Sequence, residues 1–130
     1  MQISLKDNLP MTTVTVVYQG LRLEVPDVLI DTGSASTIFA ADIVAQVGLT
    51  PEPSDILHTI RGVGGREVVY TRALDYLLMG DDGLAEFGIE VGGMNYGFLI
   101  NGILGMDYLV QTGVILNLRR MELSFENAGR

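Results

Sequence analysis

The residues best suited to catalysis are Asp31, Thr32 and Gly33, which follow an apolar run at residues 28–30. A short run of apolar and β-branched residues predicts a buried strand, which places Asp31 at its end. A carboxylate there is unfavourable unless it is hydrogen-bonded, paired or used in chemistry. Thr32 and Ser34 offer hydroxyl groups to it, and Gly33 lets a backbone N–H approach. The same residues also form an ordinary Asx turn, so this motif alone leaves both interpretations open.

Two further motifs follow in chain order. Residues 61–65 read Arg-Gly-Val-Gly-Gly, which is typical of a permissive hairpin tip, and lack the Lys-Ser/Thr of a phosphate-binding loop. Residues 102–109 read Gly-Ile-Leu-Gly-Met-Asp-Tyr-Leu, and residues 111–118 continue as Gln-Thr-Gly-Val-Ile-Leu-Asn-Leu. With Leu-Ile-Asp-Thr-Gly-Ser at residues 29–34, this ordered set resembles the retroviral-type (retropepsin-like) aspartic proteases over roughly residues 21–118.

The resemblance assigns a role to each motif. It implies that Asp31 is catalytic, that Thr32 hydrogen-bonds across a dimer axis, and that Gly33 keeps the turn tight. It also implies that residues 61–65 are the tip of a flap that closes over an extended peptide. The residues expected to bind substrate are Ser34, Ala35, Gly62, Val63, Gly64, Leu99, Ile100, Ile103 and Leu104. For the apolar members of this set, simple core packing is the alternative interpretation.

Aspartic protease chemistry needs two carboxylates that share one proton, one as base and one as acid. The chain contains a single Asp-Thr-Gly, so it supplies half of such a pair. The simplest completion is a homodimer that places two copies of Asp31 on a two-fold axis. Asp107 is the rival second acid within the motifs, but its position indicates the first turn of a helix.

The elements expected to position these residues are many short strands and two small helices. They predict an all-β, closed, barrel-like fold in one domain spanning residues 1–130. Pro26 and Asp27 are expected to end one strand before another leads to Asp31. The predicted strands are 11–18, 21–25, 28–30, 56–60, 66–76, 84–91, 94–100, 114–118 and 121–125, with helices at 40–47 and 107–112. Residues 84–91 and 94–100 are expected to form a second hairpin.

The chain departs from the retroviral pattern at two positions. Ala35 and Met106 stand where the viral enzymes usually carry an Asp and an Arg that pair with each other. Both charges are missing together, so neither is left unpaired, but one viral means of holding the dimer is lost. The strand at 121–125 lies beyond the viral pattern and is expected to strengthen or remodel the interface. These departures favour a cellular, bacterial-type member of the family.

Composition restricts the possible partners. The 130 residues include 16 acidic and 8 basic ones, a net charge of −8, which argues against nucleic acid. The chain has no Cys and a single His, His58, so we expect no thiolate or multi-histidine metal site and no cofactor. No apolar run approaches the roughly 18 residues of a membrane span, which favours a soluble, cytoplasmic protein.

Two main functions remain open from the sequence. The first is an aspartic endopeptidase that acts on polypeptides as a homodimer. The second is a weakly active or inactive module that dimerises or binds peptides on the same fold. The intact Asp31-Thr32-Gly33 motif favours the first, because a pure binding module needs no carboxylate pair at its centre. An unrelated β-domain with a chance Asp-Thr-Gly turn is disfavoured by the ordered motifs.

Overall fold

The computed structural model describes residues 1–62, 65–94 and 99–126. Its strands are β1 (Ser4–Lys6), β2 (Leu9–Tyr18), β3 (Leu21–Ile30), β4 (Ile38–Ala40), β5 (His58–Gly62), β6 (Gly65–Met79), β7 (Asp82–Gly92), β8 (Gly102–Leu104), β9 (Val114–Asn117) and β10 (Glu122–Phe125). Its helices are α1 (Ala41–Val44), extended by a 3-10 turn at Ala45–Val47, and α2 (Met106–Thr112).

Six strands close into a barrel in the order β2-β3-β8-β4-β7-β6, and β6 pairs back onto β2. The closing ladder pairs Thr15 with Leu78 and Val17 with Tyr76. The β3–β8 and β4–β7 pairs are parallel, whereas the other pairs in the ring are antiparallel. The predicted all-β barrel with two short helices is therefore confirmed.

The β2–β3 connection is a tight hairpin, as the sequence predicts. Gln19 and Gly20 form the turn with φ of 48° and 83°. Positive φ at both central residues matches the twist of the flanking strands, which is why such turns favour hairpins.

The predicted break at Pro26 and Asp27 is wrong, because β3 runs unbroken from Leu21 to Ile30. The two residues form a bulge opposite Thr13, between the pairs Thr12–Val28 and Val14–Val25. Asp27 takes a φ of 55°, which absorbs the extra residue without ending the strand. One long strand therefore carries the chain from the β2–β3 turn directly to Asp31.

The start of β5 and the region after β7 also differ from the sequence prediction. The strand expected at residues 56–60 is displaced to β5, leaving Ile56 and Leu57 as exposed residues outside it. Residues 95–98 of the hairpin expected between residues 84–91 and 94–100 lie outside the described residues. Met94, Leu99 and Ile100 lie outside strands, and β7 is flanked by β6 and β4 instead.

Two apolar clusters lie on opposite sides of the strands that lead to Asp31. Because side chains alternate along a strand, Ile30 and Leu104 face the barrel core, whereas Leu29 and Ile103 pack against the second cluster. The second cluster contains the buried residues Met11, Ile38, Ala40, Val69, Met94 and Ile100.

The carboxyl-terminal strands β9 and β10 form a separate two-stranded sheet, close to their predicted positions. Leu123 of β10 is 1% exposed and belongs to the barrel core. The first residues of the chain join this sheet, with Gln2 bridging to Glu122 and Ile3 N donating to Met121 O at 2.9 Å. Within the described ranges, no helix is long and apolar enough to cross a membrane.

Candidate active site

Asp31 lies on a loop that passes around the end of β8. The strand β8 is inserted between β3 and β4, parallel to the first and antiparallel to the second. The loop at residues 31–37 must therefore cross the carboxyl end of β8 to connect its two neighbours. This topology packs the loop against Gly105 and the start of α2.

The Asp31 side chain is only partly buried, and its position is set by short hydrogen bonds. Its backbone N–H donates to Leu104 O at 3.0 Å, which continues the β3–β8 ladder by one step. Its Oδ1 accepts the Gly33 N–H at 2.9 Å, and its carbonyl accepts the Ser34 N–H at 3.1 Å. Within the described residues, no hydrogen bond reaches Asp31 Oδ2. The carboxylate is thus oriented through one oxygen.

Gly105 allows the loop and α2 to approach each other closely. A Cβ at this position would lie 2.3 Å from Ser36 O and 2.9 Å from Ser34 O, both of which are backbone atoms. In the resulting contact, Met106 N donates to Ser34 O at 2.7 Å. Any side chain at Gly105 would therefore displace the backbone that leads from Asp31.

Asp107 and Thr37 join the same loop to α2. Asp107 Oδ1 accepts the Thr37 hydroxyl at 2.7 Å, and Asp107 Oδ2 accepts the Thr37 N–H at 3.2 Å. The Thr37 hydroxyl also accepts the Gly105 N–H at 3.1 Å, and Thr37 is fully buried. Asp107 lies in the first turn of α2, as the sequence predicts, and its carboxylate contacts the loop. Thr37 was not singled out from the sequence, because its partner lies 70 residues away.

The helix α2 has only seven residues and depends on packing for its stability. Tyr108 is fully buried, and its hydroxyl donates to Leu77 O at 2.9 Å. Its ring meets Phe87 edge to face at 5.4 Å between centroids. Burial raises the pKa of the Tyr108 hydroxyl. The helix that buttresses the Asp31 loop is therefore fixed to the barrel wall.

The structure separates the residues expected to bind substrate. Ser34 and Ala35 lie on the Asp31 loop, whereas Leu104 is fully buried in the barrel core and offers no side-chain surface. Ile100 and Ile103 belong to the second cluster, and Leu99 is 60% exposed. Gly62 is the last residue of β5 and pairs with Gly65 across the hairpin. Val63 and Gly64 lie outside the described residues.

An apolar groove borders the Asp31 loop at Thr32. It has a volume of about 270 Å³. Met106, one of the two departures from the retroviral pattern, lines it. The other, Ala35, lies nearby, since Ala35 O accepts the Asp107 N–H at 3.2 Å. The complete lining is Thr32, Met106, Leu109, Val110, Gly113, Val114 and Leu116.

The segment that leads into the β5–β6 hairpin is held by Arg72 of β6. Its guanidinium contacts both carboxylate oxygens of Asp55 at 2.8 and 2.6 Å, and also the Tyr18 hydroxyl at 3.1 Å. The Arg72 hydrogen bonds, together with the Glu52 N–H, lower the pKa of Asp55. His58 lies on β5 with its Nε2 3.4 Å from Glu90 Oε2. In the described part of the chain, no group of three His, Asp or Glu side chains could hold a metal ion.

Comparison with known proteins assigns this loop and barrel to a family. The family model described as Aspartyl protease matches residues 13–108, so the chain belongs to that family. Among solved structures, it is similar to a retropepsin-like aspartic protease from Rickettsia conorii, with a TM-score of 0.64 and 13% identity. That alignment covers 95% of this chain and 97% of the other. The search of curated proteins found no match.

The predicted resemblance to retropepsin-like aspartic proteases is confirmed for family and fold. The identity of 13% is low enough that the structural likeness supports the fold alone. The family match covers Asp31 and its loop, all of β8, and the start of α2 as far as Tyr108. It excludes a chance Asp-Thr-Gly turn in an unrelated β-domain.

Proposed function

We propose that the protein is an aspartic endopeptidase in which Asp31 from each of two copies forms the catalytic pair. One observation supports it most directly. Asp31 is a partly exposed carboxylate held at one oxygen by the Gly33 N–H, on a loop that is fixed at both ends. The Gly33 N–H contact is also the hydrogen bond of an Asx turn; what it contributes here is a fixed orientation that leaves Oδ2 without a hydrogen bond from the described residues. The Aspartyl protease family match supports the same reaction class.

The two carboxylates would share one proton. The ionised Asp31 takes a proton from water as the water oxygen attacks the scissile carbonyl carbon, and the neutral Asp31 donates its proton to the carbonyl oxygen. The Asp31 that took the proton from water then donates it to the leaving nitrogen as the C–N bond breaks. The other Asp31 accepts a proton from a hydroxyl of the tetrahedral intermediate, which yields the carboxylic acid and restores the shared proton. Thr32 and Gly33 are assigned to position the pair, and Ser34, Ala35 and the β5–β6 hairpin to contact an extended peptide.

Asp31→Asn tests the assignment. The amide is nearly isosteric, so fold and assembly should be retained while cleavage of a peptide library falls by at least about 100-fold. Asp42→Asn is a matched control, because Asp42 is an exposed carboxylate in the first turn of α1. Cleavage products are identified by mass spectrometry at several pH values. Undiminished cleavage by pure Asp31→Asn protein would rule out the catalytic role.

The alternative function is a dimerisation or peptide-binding module on the same fold. It predicts peptide binding without cleavage by the wild-type chain at every pH. The same library measurement separates the two functions, provided that binding is recorded alongside product formation.

A further inference from the structure

One row of paired residues crosses the sheet on the same face as Asp31. Leu29 of β3 pairs with Ile103 of β8, which pairs with Ile38 of β4. Ile38 in turn pairs with Glu90 of β7. Paired residues share a face of the sheet, and the three apolar members of this row all belong to the second cluster. Asp31 lies two residues beyond Leu29 and continues the β3–β8 ladder, which places its side chain on this face too.

Glu90 is the charged member of this row. Its Oε2 is buried, and no described residue donates a hydrogen bond to it. The Glu90 side chain as a whole is 12% exposed, so the carboxylate lies close to the surface. A carboxylate in such a position is unfavourable unless a donor or a positive charge reaches it. Glu90 is therefore suited to a ligand that supplies both.

The chain's own side chains leave this role open. His58 Nε2 lies 3.4 Å from Glu90 Oε2, but the contact does not form a hydrogen bond. His58 belongs to β5, the last strand of the eight-stranded sheet, and its side chain is 45% exposed. Its ring can therefore turn towards solvent when another group approaches Glu90. A second carboxylate on this face, that of Glu67 on β6, already accepts the Met94 N–H.

We propose that Glu90 selects a Lys or Arg side chain of the bound peptide and so determines part of the substrate specificity. The inference rests on the proposed function, in which an extended peptide lies over the face that carries Asp31. Ile100 and Ile103, which were expected to bind substrate, belong to the cluster on this face. An ammonium or guanidinium group brings several N–H donors and a positive charge to the carboxylate. An apolar side chain brings neither, and an acidic one is repelled.

Sheet geometry restricts which peptide residue Glu90 can reach. Neighbouring strands lie about 4.8 Å apart, so the row from β3 through β8 and β4 to β7 puts Glu90 about 15 Å from Leu29. An extended peptide advances about 3.3 Å per residue, and the two side chains that meet each span part of the distance. The selected residue therefore lies about two to four positions from the scissile bond. Because side chains of an extended peptide alternate, its immediate neighbours point away from Glu90.

Position distinguishes this selection from general attraction. A chain of net charge −8 favours any cationic peptide, wherever its charge lies. Selection by Glu90 instead favours a cation at one spacing from the scissile bond. In the proposed pair of chains, a two-fold axis places one Glu90 on each side of that bond. We therefore expect Lys or Arg to be favoured at matching positions on both sides.

Exchange of the charge at Glu90 tests the selection. The probes are short peptides built on one sequence that the wild-type chain cleaves or binds, with Lys, Met or Glu at each position in turn. At the selected position, wild-type kcat/KM should be about 10-fold or more higher for Lys than for Met. Glu90→Gln should bring the Lys and Met values together and leave the Met value unchanged. Glu90→Lys should favour Glu over Lys.

Glu86→Gln is the matched control, because Glu86 is an exposed residue of the same strand. It removes one negative charge outside the row, so the preference for Lys should remain as in wild type. If Glu90→Lys fails to fold, Glu90→Gln decides, since it is nearly isosteric and breaks no hydrogen bond with the described residues. A Lys preference that persists in Glu90→Gln, or is lost equally in Glu86→Gln, would overturn the inference.

Binding measurements separate this inference from the proposed function. The affinities of the Lys and Met peptides for Asp31→Asn, with and without Glu90→Gln, are measured without cleavage. A Lys preference that disappears with Glu90→Gln, in a protein whose wild-type chain cleaves no peptide, would support selection by Glu90 and contradict the proposed function. Cleavage that depends on Asp31 but shows no Lys preference at any position would overturn the inference alone. A wild-type chain that neither cleaves nor binds these peptides would overturn both.

Discussion

Thr37 and Asp107 determine the shape of the Asp31 loop, although neither belongs to the Asp-Thr-Gly motif. The buried Thr37 hydroxyl donates to Asp107 and accepts from Gly105 N–H, so it serves both partners at once. Its removal would leave the Gly105 N–H without an acceptor in a buried position. An unsatisfied buried group is more destabilising than the loss of a hydrogen bond that water can replace.

Two buried threonines provide a matched test of this role. Thr37→Val should reduce the free energy of unfolding by about 1–3 kcal/mol and also reduce kcat, because the loop that carries Asp31 loosens. Thr12→Val changes the same atoms at a position that is also buried, but no described group hydrogen-bonds the Thr12 hydroxyl. It should be neutral or slightly stabilising. Denaturant titration and peptide cleavage of both variants are the measurements, and equal losses would contradict the argument.

The shared proton leads to a prediction about pH. The proposed reaction needs one Asp31 ionised and the other neutral, so kcat/KM should be bell-shaped with its maximum in mildly acidic solution. The acidic and alkaline limbs of this profile both report the pair of Asp31 residues and not either residue alone, because two adjacent carboxylates cannot ionise independently. The measurement is cleavage of one peptide between about pH 3 and pH 8. A rate that still rises above neutral pH would indicate different chemistry.

At the scale of elements, the linker before β5 is fixed by a charged contact. Residues 50–57 contain no strand or helix, yet Asp55 is held by Arg72 of β6 and by the Glu52 N–H. This contact joins the linker before β5 to β6. Glu67 of the same hairpin accepts the Met94 N–H at 2.5 Å, which joins the hairpin to the segment after β7.

The Asp55 contact makes part of the stability depend on pH. Arg72 and the Glu52 N–H lower the pKa of Asp55 in the folded state. A lowered carboxyl pKa adds stability above the unfolded value of about 3.9, and that stability is lost as pH falls through the folded value. Asp55→Asn should therefore unfold at a lower temperature than wild type at pH 7, and the difference should shrink as the pH falls below the unfolded value. Glu24→Gln, at an exposed position of β3, should show no such convergence.

The β2–β3 hairpin and the helices were predictable from the sequence because local signals specify them. Gln19 and Gly20 form a two-residue turn, and Gly113 takes the left-handed conformation that ends α2. The insertion of β8 between β3 and β4, and the closure of β6 onto β2, depend on contacts between distant residues. The bulge at Asp27 was missed because a Pro-Asp pair more commonly ends a strand than bends one.

In the candidate site, too, the features set by contiguous residues were predictable and those set by distant contacts were not. The Asp-Thr-Gly motif was recognisable because its residues are contiguous, and Asp107 was correctly placed in a helix start. The contact between Asp107 and Thr37 was not predictable from spacing alone. Leu104 was expected to bind substrate, but alternation along β8 directs it into the barrel core, whereas Ile103 faces the second cluster.

At the scale of the whole molecule, the proposed reaction makes activity a property of the assembly. Each chain supplies one Asp-Thr-Gly, so a monomer carries half of the catalytic pair. Below the dimer dissociation constant, the initial rate should rise with about the square of total protein concentration, and above it the rise should become linear. Initial rates across a dilution series, with sedimentation of the same samples, measure both regimes.

Mixing wild-type chain with an equal amount of Asp31→Asn chain provides the sharper form of this test. Random exchange diverts wild-type chains into mixed dimers that hold one carboxylate, so the rate should fall to about half that of the wild-type chain alone. Asp42→Asn should cause no loss in the same mixture, because it removes an exposed charge on α1 and leaves both copies of Asp31 in place. If Asp31→Asn leaves the wild-type rate unchanged although exchange is demonstrated by sedimentation of tagged chains, each chain must be catalytically complete. The shared Asp31 pair would then be wrong.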